Sequence, residues 1–157
     1  MFIKSPNDLE PNEWDAAIAL NLSSVFLCSR AVSNNMMERG SGRIINISSV
    51  AGMRLSPSFV HYGAAKAGMH AITKSFARVY GPKVRVNCIM PGPFLTEISK
   101  AWDMDVFNAK AETDIALKRG GEADEIVGAA LYFASAASSY TTGAILKVDG
   151  GAGWAAG

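Results

Sequence analysis

Tyr62 and Lys66 stand four residues apart in PSFVHYGAAKAGMHAIT, a stretch that reads as a helix beginning near Phe59. Side chains at that spacing share one helix face, about one turn or 6 Å along the axis. A phenol alone titrates near pH 10, and an ammonium within about 4 to 6 Å favours its ionised form. The pair therefore predicts a proton donor and acceptor usable near pH 7. By itself it carries little weight, because Tyr and Lys at this spacing also occupy solvated faces. Its surroundings raise it. The helix is stripped of bulk at Gly63, Ala64, Ala65, Ala67, Gly68 and Ala71, so it can lie close to another backbone or a ligand, although each Gly costs about 1 kcal/mol of helix stability against Ala.

The elements that must position this pair follow from the pattern of the chain. Residues 1–12 hold two prolines and read as a loop. Trp14, Ile18, Leu22, Val25, Val32 and Met36 recur at helical spacing, which predicts one long helix from Glu13 to Arg39, ended by Gly40. Asn21 falls on or beside its apolar stripe and must find a hydrogen-bond partner, since an unpaired buried amide costs about 1–3 kcal/mol. Apolar runs at 43–48, 84–89 and 144–148 read as strands, and the Tyr62 helix should run to Tyr80, where Gly81-Pro82 stops it. Residues 98–117 read as loosely helical and 122–135 as a helix. Strand, helix, strand, helices, strand is the order of a parallel α/β sheet with crossover helices, and ligands in such sheets collect at the carboxyl ends of the strands. Those ends are Ser48-Ser49, Met90 to Thr96 and Asp149 to Gly151.

The chain of 157 residues fits one domain, 1–157, and 49% hydrophobic residues with a net charge of +1 leave no basic surplus for nucleic acid or an anionic membrane. The N-terminus lacks the apolar core of a signal peptide, and no apolar run approaches the 18 or so residues of a membrane span. Cys28 and Cys88 lie in apolar segments without a CxxC partner, which predicts buried free thiols, no metal site and a reducing cytoplasmic location.

Taken together, EWDAAIALNLSSVF, RIINISSVAG, YGAAKAGM, VRVNCIMPGPFLT and RGGEADEIVGAALYFAS through TGAILKVDGG resemble the short-chain dehydrogenase/reductase family, in order and over nearly the whole chain. The resemblance implies a Rossmann-like doubly wound parallel sheet and an NAD- or NADP-dependent oxidoreductase that interconverts a small-molecule alcohol and a ketone. It implies catalytic roles for Asn21, Ser49, Tyr62 and Lys66. Tyr62 would be the general acid and base, Lys66 would assist it while holding the nicotinamide ribose, Ser49 would bond the substrate oxygen, and Asn21 would hold a relaying water. Pro91, Gly92, Phe94 and Thr96 would receive the nicotinamide carboxamide. Without the family, PGP reads only as a rigid turn.

The resemblance also predicts a departure. Family members open with a glycine-rich turn after a first strand, an acidic or basic residue that chooses between NAD and NADP, and an NNAG segment, none of which the sequence contains. About 80–100 residues of strand-helix units are expected to be missing, so the sheet should be partial and the strand at 43–48 an edge. Gly151-Ala-Gly153-Trp-Ala-Ala156 fits the glycine pattern by chance, with no helix after it. A second expectation is therefore a half-domain without activity that acts as an interaction or oligomerisation protein, either as a homo-oligomer or on a full-length relative. Phe59, His61, Trp102 and Trp154 are candidate pocket residues.

Overall fold

The computed structural model describes residues 4–54 and 57–152. Trp154 and the end of the chance glycine string lie outside the described residues. The central strand, β2 (Val84–Pro91), is apolar almost without interruption, and Val84, Val86, Cys88 and Ile89 are fully buried, as in a parallel strand covered on both faces. It is flanked by β1 (Gly42–Ile47) and β5 (Ile145–Val148) in the order β1-β2-β5, all parallel. β1 is an edge strand: Ile44 and Asn46 are buried, whereas Ile47 on the alternate face is 51% exposed. Register pairs Ile47 with Ile89 and Pro91 with Val148, which brings Ser48-Ser49, Pro91-Gly92 and Asp149 to one rim. The expected α/β class and the partial parallel sheet are both present.

The helix α3 (Val60–Tyr80) carries His61, Ala65, Met69, Thr73 and Ala77 as its buried residues, one every fourth position. That stripe lies on the sheet. Tyr62, Lys66 and His70, each one residue further on, form the neighbouring stripe at the border of the buried face. Thr73 is fully buried, and Ile44, Val84 and Val86 pack with Ala77 into the core beneath.

The long N-terminal helix departs from expectation in one respect. It is built as α1 (Pro11–Ile18), a π-helical turn at Ala19–Ser23 and α2 (Ser24–Glu38). It begins two residues before Glu13 because Pro11 occupies the first turn and Glu13 reaches back to the Glu10 N–H at 3.0 Å. By length and composition this Pro11–Glu38 helix is apolar enough to cross a membrane. The sequence shows no apolar run of span length there because Asn21, Ser23, Ser24 and Ser29 interrupt the apolar blocks, although the mean hydropathy over the helix stays high. α1 and the π turn lie against α3. Cys28, expected to be buried, is exposed on α2, while Cys88 is buried as expected; burial pushes the Cys88 thiol up to about 11, which leaves it unreactive.

Beyond β2, Phe94–Leu95 (β3) pairs in parallel with Gly121–Glu122 (β4), a two-stranded sheet that periodicity could not reveal at that length. The loosely helical stretch resolves into a 3-10 turn, Glu97–Ala101, and α4 (Met104–Asp114). The expected helix at 122–135 becomes a 3-10 turn, Ala123–Ile126, leading into α5 (Val127–Ala134). Arg85 on β2 fixes the end of α5, donating to the carbonyls of Phe133, Ser135 and Thr141 and to Ser138 Oγ at 2.8–3.2 Å.

Candidate active site

Ser49 follows β1 and opens a short 3-10 turn, Val50–Gly52, where its Oγ accepts the Ala51 N–H at 3.2 Å. A hydroxyl that accepts in this way keeps its own proton for another acceptor. Across from it, the first turns of α3 approach the same loop closely. A Cβ on Gly63 would stand 3.0 Å from the Ala51 carbonyl oxygen, and one on Gly52 would stand 2.9 Å from the Lys66 backbone carbon. On the other side of α3, a Cβ on Gly68 would meet Leu22 at 2.9 Å. The small residues of this helix thus permit close approach on both sides, as their pattern predicts.

Lys66 is half-buried. Its Nζ donates to the Ile47 carbonyl at 3.1 Å and lies 5.5 Å from the centroid of the Tyr62 ring. Burial lowers its pKa from 10.5, with nearby Cys88 opposing. The spacing-based expectation that Tyr62 and Lys66 share a face therefore holds.

Three successive residues of the β1 end are tied to α3. Asn46 Nδ2 donates to Thr73 Oγ1 at 2.9 Å, and Thr73 in turn donates to the Met69 carbonyl at 2.9 Å. Ile47 accepts from Lys66, and Ser48 Oγ meets His70 Nε2 at 2.7 Å and the Lys66 carbonyl at 3.2 Å. Burial, and secondarily Lys74, lowers the His70 pKa from 6.5. The sequence marks Ser48 only as the end of a strand, and does not mark Asn46, Thr73 or His70 at all. The one available signal was polar residues on apolar stripes, which identifies a need for partners without naming them.

Asn21 sits inside the π-helical turn, packed against α3, with Nδ2 donating to the Ala17 carbonyl at 3.1 Å. A widened turn of this kind frees backbone groups and recurs at functional positions.

The loop after β2 completes the rim. A Cβ on Gly92 would lie 2.5 Å from Asp149 Cβ, so only glycine lets this loop lie against the β5 end. Asp149 Oδ1 accepts the Gly151 N–H at 3.0 Å and its other oxygen pairs with Lys147 at 3.2 Å. Ser99 holds Thr96 by its backbone, accepting the N–H at 3.1 Å and donating to the carbonyl at 2.7 Å. Ser49, Tyr62, Pro91, Gly92, Phe94 and Thr96 together line one open cleft of about 830 Å³. Phe59 and Trp102 line it too, whereas His61, also a pocket candidate, is 2% exposed and does not. Asn21 and Lys66 stand outside its lining. No cluster with metal-ligand composition occurs among the described residues.

The donor set suits the nicotinamide end of a dinucleotide. Lys66 commits one of its three N–H donors to Ile47, which leaves two for neighbouring hydroxyls, and the cleft has the volume of a cofactor-and-substrate site.

The family described as enoyl-(acyl carrier protein) reductase matches residues 3–153. The chain is 42% identical over 144 residues to the 3-oxoacyl-acyl-carrier-protein reductase FabG of Chlamydia trachomatis serovar D, covering 91% of this chain and 58% of that protein. A gluconate 5-dehydrogenase of Burkholderia cenocepacia J2315, solved with NADP and tartrate, superposes with a TM-score of 0.88 at 36% identity, over 94% of this chain and 59% of that one. A 3-oxoacyl-acyl-carrier-protein reductase of Brucella melitensis with bound NAD gives 0.87 at 33%, over 96% and 56%. The chain thus spans less than two thirds of the length of the relatives it matches.

Proposed function

Because the chain belongs to the short-chain dehydrogenase/reductase family, we propose that it interconverts an alcohol and a ketone with NAD or NADP. One observation carries this reading: Ser49 and Tyr62 open into the same cleft as the Pro91–Thr96 loop, with the Lys66 ammonium 5.5 Å from the Tyr62 ring centroid. The bound dinucleotide supplies or takes the hydride. Tyr62 delivers a proton to the carbonyl oxygen in reduction and removes it from the alcohol in oxidation. Ser49, whose oxygen already accepts from Ala51, donates its proton to that same substrate oxygen as charge develops. Lys66 holds the ribose hydroxyls with its remaining donors. Asn21, anchored through Nδ2 on Ala17, keeps its side-chain oxygen for a water leading toward Lys66. The Pro91–Thr96 loop, held in place by Asp149 and Ser99, receives the carboxamide. A reducing cytoplasm suits the exposed Cys28 thiol.

The test is a titration of the chain with NADH and NADPH, followed by nicotinamide fluorescence and by turnover of Tyr62→Phe. Saturable binding, with turnover lost in the variant, is expected. Absence of binding overturns the reading.

A second reading is favoured by the surface. The β1 edge leaves Ile47 51% exposed, and the Pro11–Glu38 helix leaves Leu20 73% and Leu27 49% exposed. An unpaired edge beside exposed apolar side chains favours pairing with another polypeptide, as a homo-oligomer or with a full-length relative. A monodisperse monomer by light scattering would reject this association.

A further inference from the structure

Apart from Ser49, Tyr62 and the 91–96 loop, the cleft is lined chiefly by apolar side chains, among them Phe59, Ile98, Trp102, Phe107, Ile115 and Ile126. Trp102 and Phe107 pack with ring centroids 5.1 Å apart and form one aromatic wall across the start of α4. Phe107, Lys110, Ala111 and Asp114 then line the cleft from a single face of α4, at helical spacing of three and four residues. Ala111 is 1% exposed and packs with Phe107, Ile115 and Ala152, so this face is apolar at its centre, with Lys110 and Asp114 beside it. Of those charges, Asp114 is paired with Arg54 at 3.6 Å. Lys110 has no carboxylate partner among the described residues, and the three groups together leave one positive charge.

An apolar wall and a polyol do not match, since hydroxyls placed against it lose water without gaining partners. An alkyl body gains from the same surface, by about 0.8 kcal/mol for each methylene buried, or roughly fourfold in affinity. A lone cation at the cleft favours an anion on the ligand.

We propose, on the basis of the alcohol-ketone reading above, that the cleft selects ketones and secondary alcohols on an unbranched apolar body that ends in an acid group. It rejects polyols and sugar acids. Trp102 and Phe107 read the body, and Lys110 reads the acid.

Calorimetric titration of the whole chain with 4-oxopentanoate, 6-oxoheptanoate and 8-oxononanoate, their methyl esters and gluconate tests this. Affinity is expected to rise about fourfold per methylene along the acids, with gluconate weakest. Lys110→Gln should weaken the acids about two- to fivefold and leave the esters unchanged. Phe107→Ala should flatten the series, and Ile98→Asn, at a site already 66% exposed, should do so in part without risk to folding. A flat series, gluconate binding as tightly as the longest acid, or no binding of any probe overturns the proposal. Equal losses for acids and esters in Lys110→Gln overturn the role of Lys110. The same series on Tyr62→Phe needs no turnover: if it holds while the unmutated chain turns nothing over, the redox reading falls and the specificity stands.

Discussion

Asn46 Nδ2 donates to Thr73 Oγ1 at 2.9 Å, a fully buried bond that joins the strand leading to Ser49 with the helix carrying Tyr62 and Lys66. Its two residues are 27 apart in the chain, and no part of the proposed chemistry passes through them.

Thr73→Val is expected to destabilise the fold by about 1–3 kcal/mol, because it leaves the buried Asn46 amide without its partner, and Asn46→Ala by about 0.5–1.5 kcal/mol, because Thr73 keeps its bond to the Met69 carbonyl. The double variant should lose less than the sum, with a coupling of about 0.5–3 kcal/mol. Urea unfolding of all four proteins measures the cycle, and strict additivity would show that the bond does not join the elements.

Lys66→Met should lower turnover about 10²-fold or more if Lys66 supports proton transfer at Tyr62. Lys66 also tethers the Ile47 carbonyl, but that strand is an edge open to water, so the thermal midpoint should move little. Turnover within tenfold of the unmutated chain rejects the assigned role.

His70 gives the fold a pH dependence of known sign. Burial, and secondarily Lys74, places its folded pKa below 6.5, so the unfolded chain binds more protons there. Its contribution to stability is complete above pH 6.5 and is lost as the pH falls through the lowered folded value. Urea midpoints taken from about pH 7.5 to 5.5 should fall, and His70→Gln should reduce that slope. An identical slope in the variant assigns the effect elsewhere.

Two glycines should respond in opposite directions. Gly92→Ala places a methyl carbon 2.5 Å from Asp149 Cβ and 2.8 Å from its Cα, so backbone must move, at a cost of about 1–3 kcal/mol. Gly128, on α5, has nothing within 4 Å of such a carbon, and Gly128→Ala should stabilise by about 0.5–1 kcal/mol through helix propensity. Thermal unfolding distinguishes them, and stabilisation by both would show that the Gly92 loop yields freely.

The residues themselves determined the α/β class, the parallel order of the three main strands, the shared face of Tyr62 and Lys66, and the rim where Ser49, Pro91 and Asp149 meet. Each depends on a local period of two or about 3.6 residues, or on a turn signal, and these act over a few positions. Tertiary structure alone decided the π-helical turn around Asn21, the ties of Asn46 to Thr73 and Ser48 to His70, the exposure of Cys28, and the wall that α4 gives the cleft. Those features join segments separated by 20 residues or more, or depend on which helix face finds a partner. A hydrogen bond or an apolar contact across such a distance has no period along the chain, so it emerges only when the sheet and its helices have been packed together.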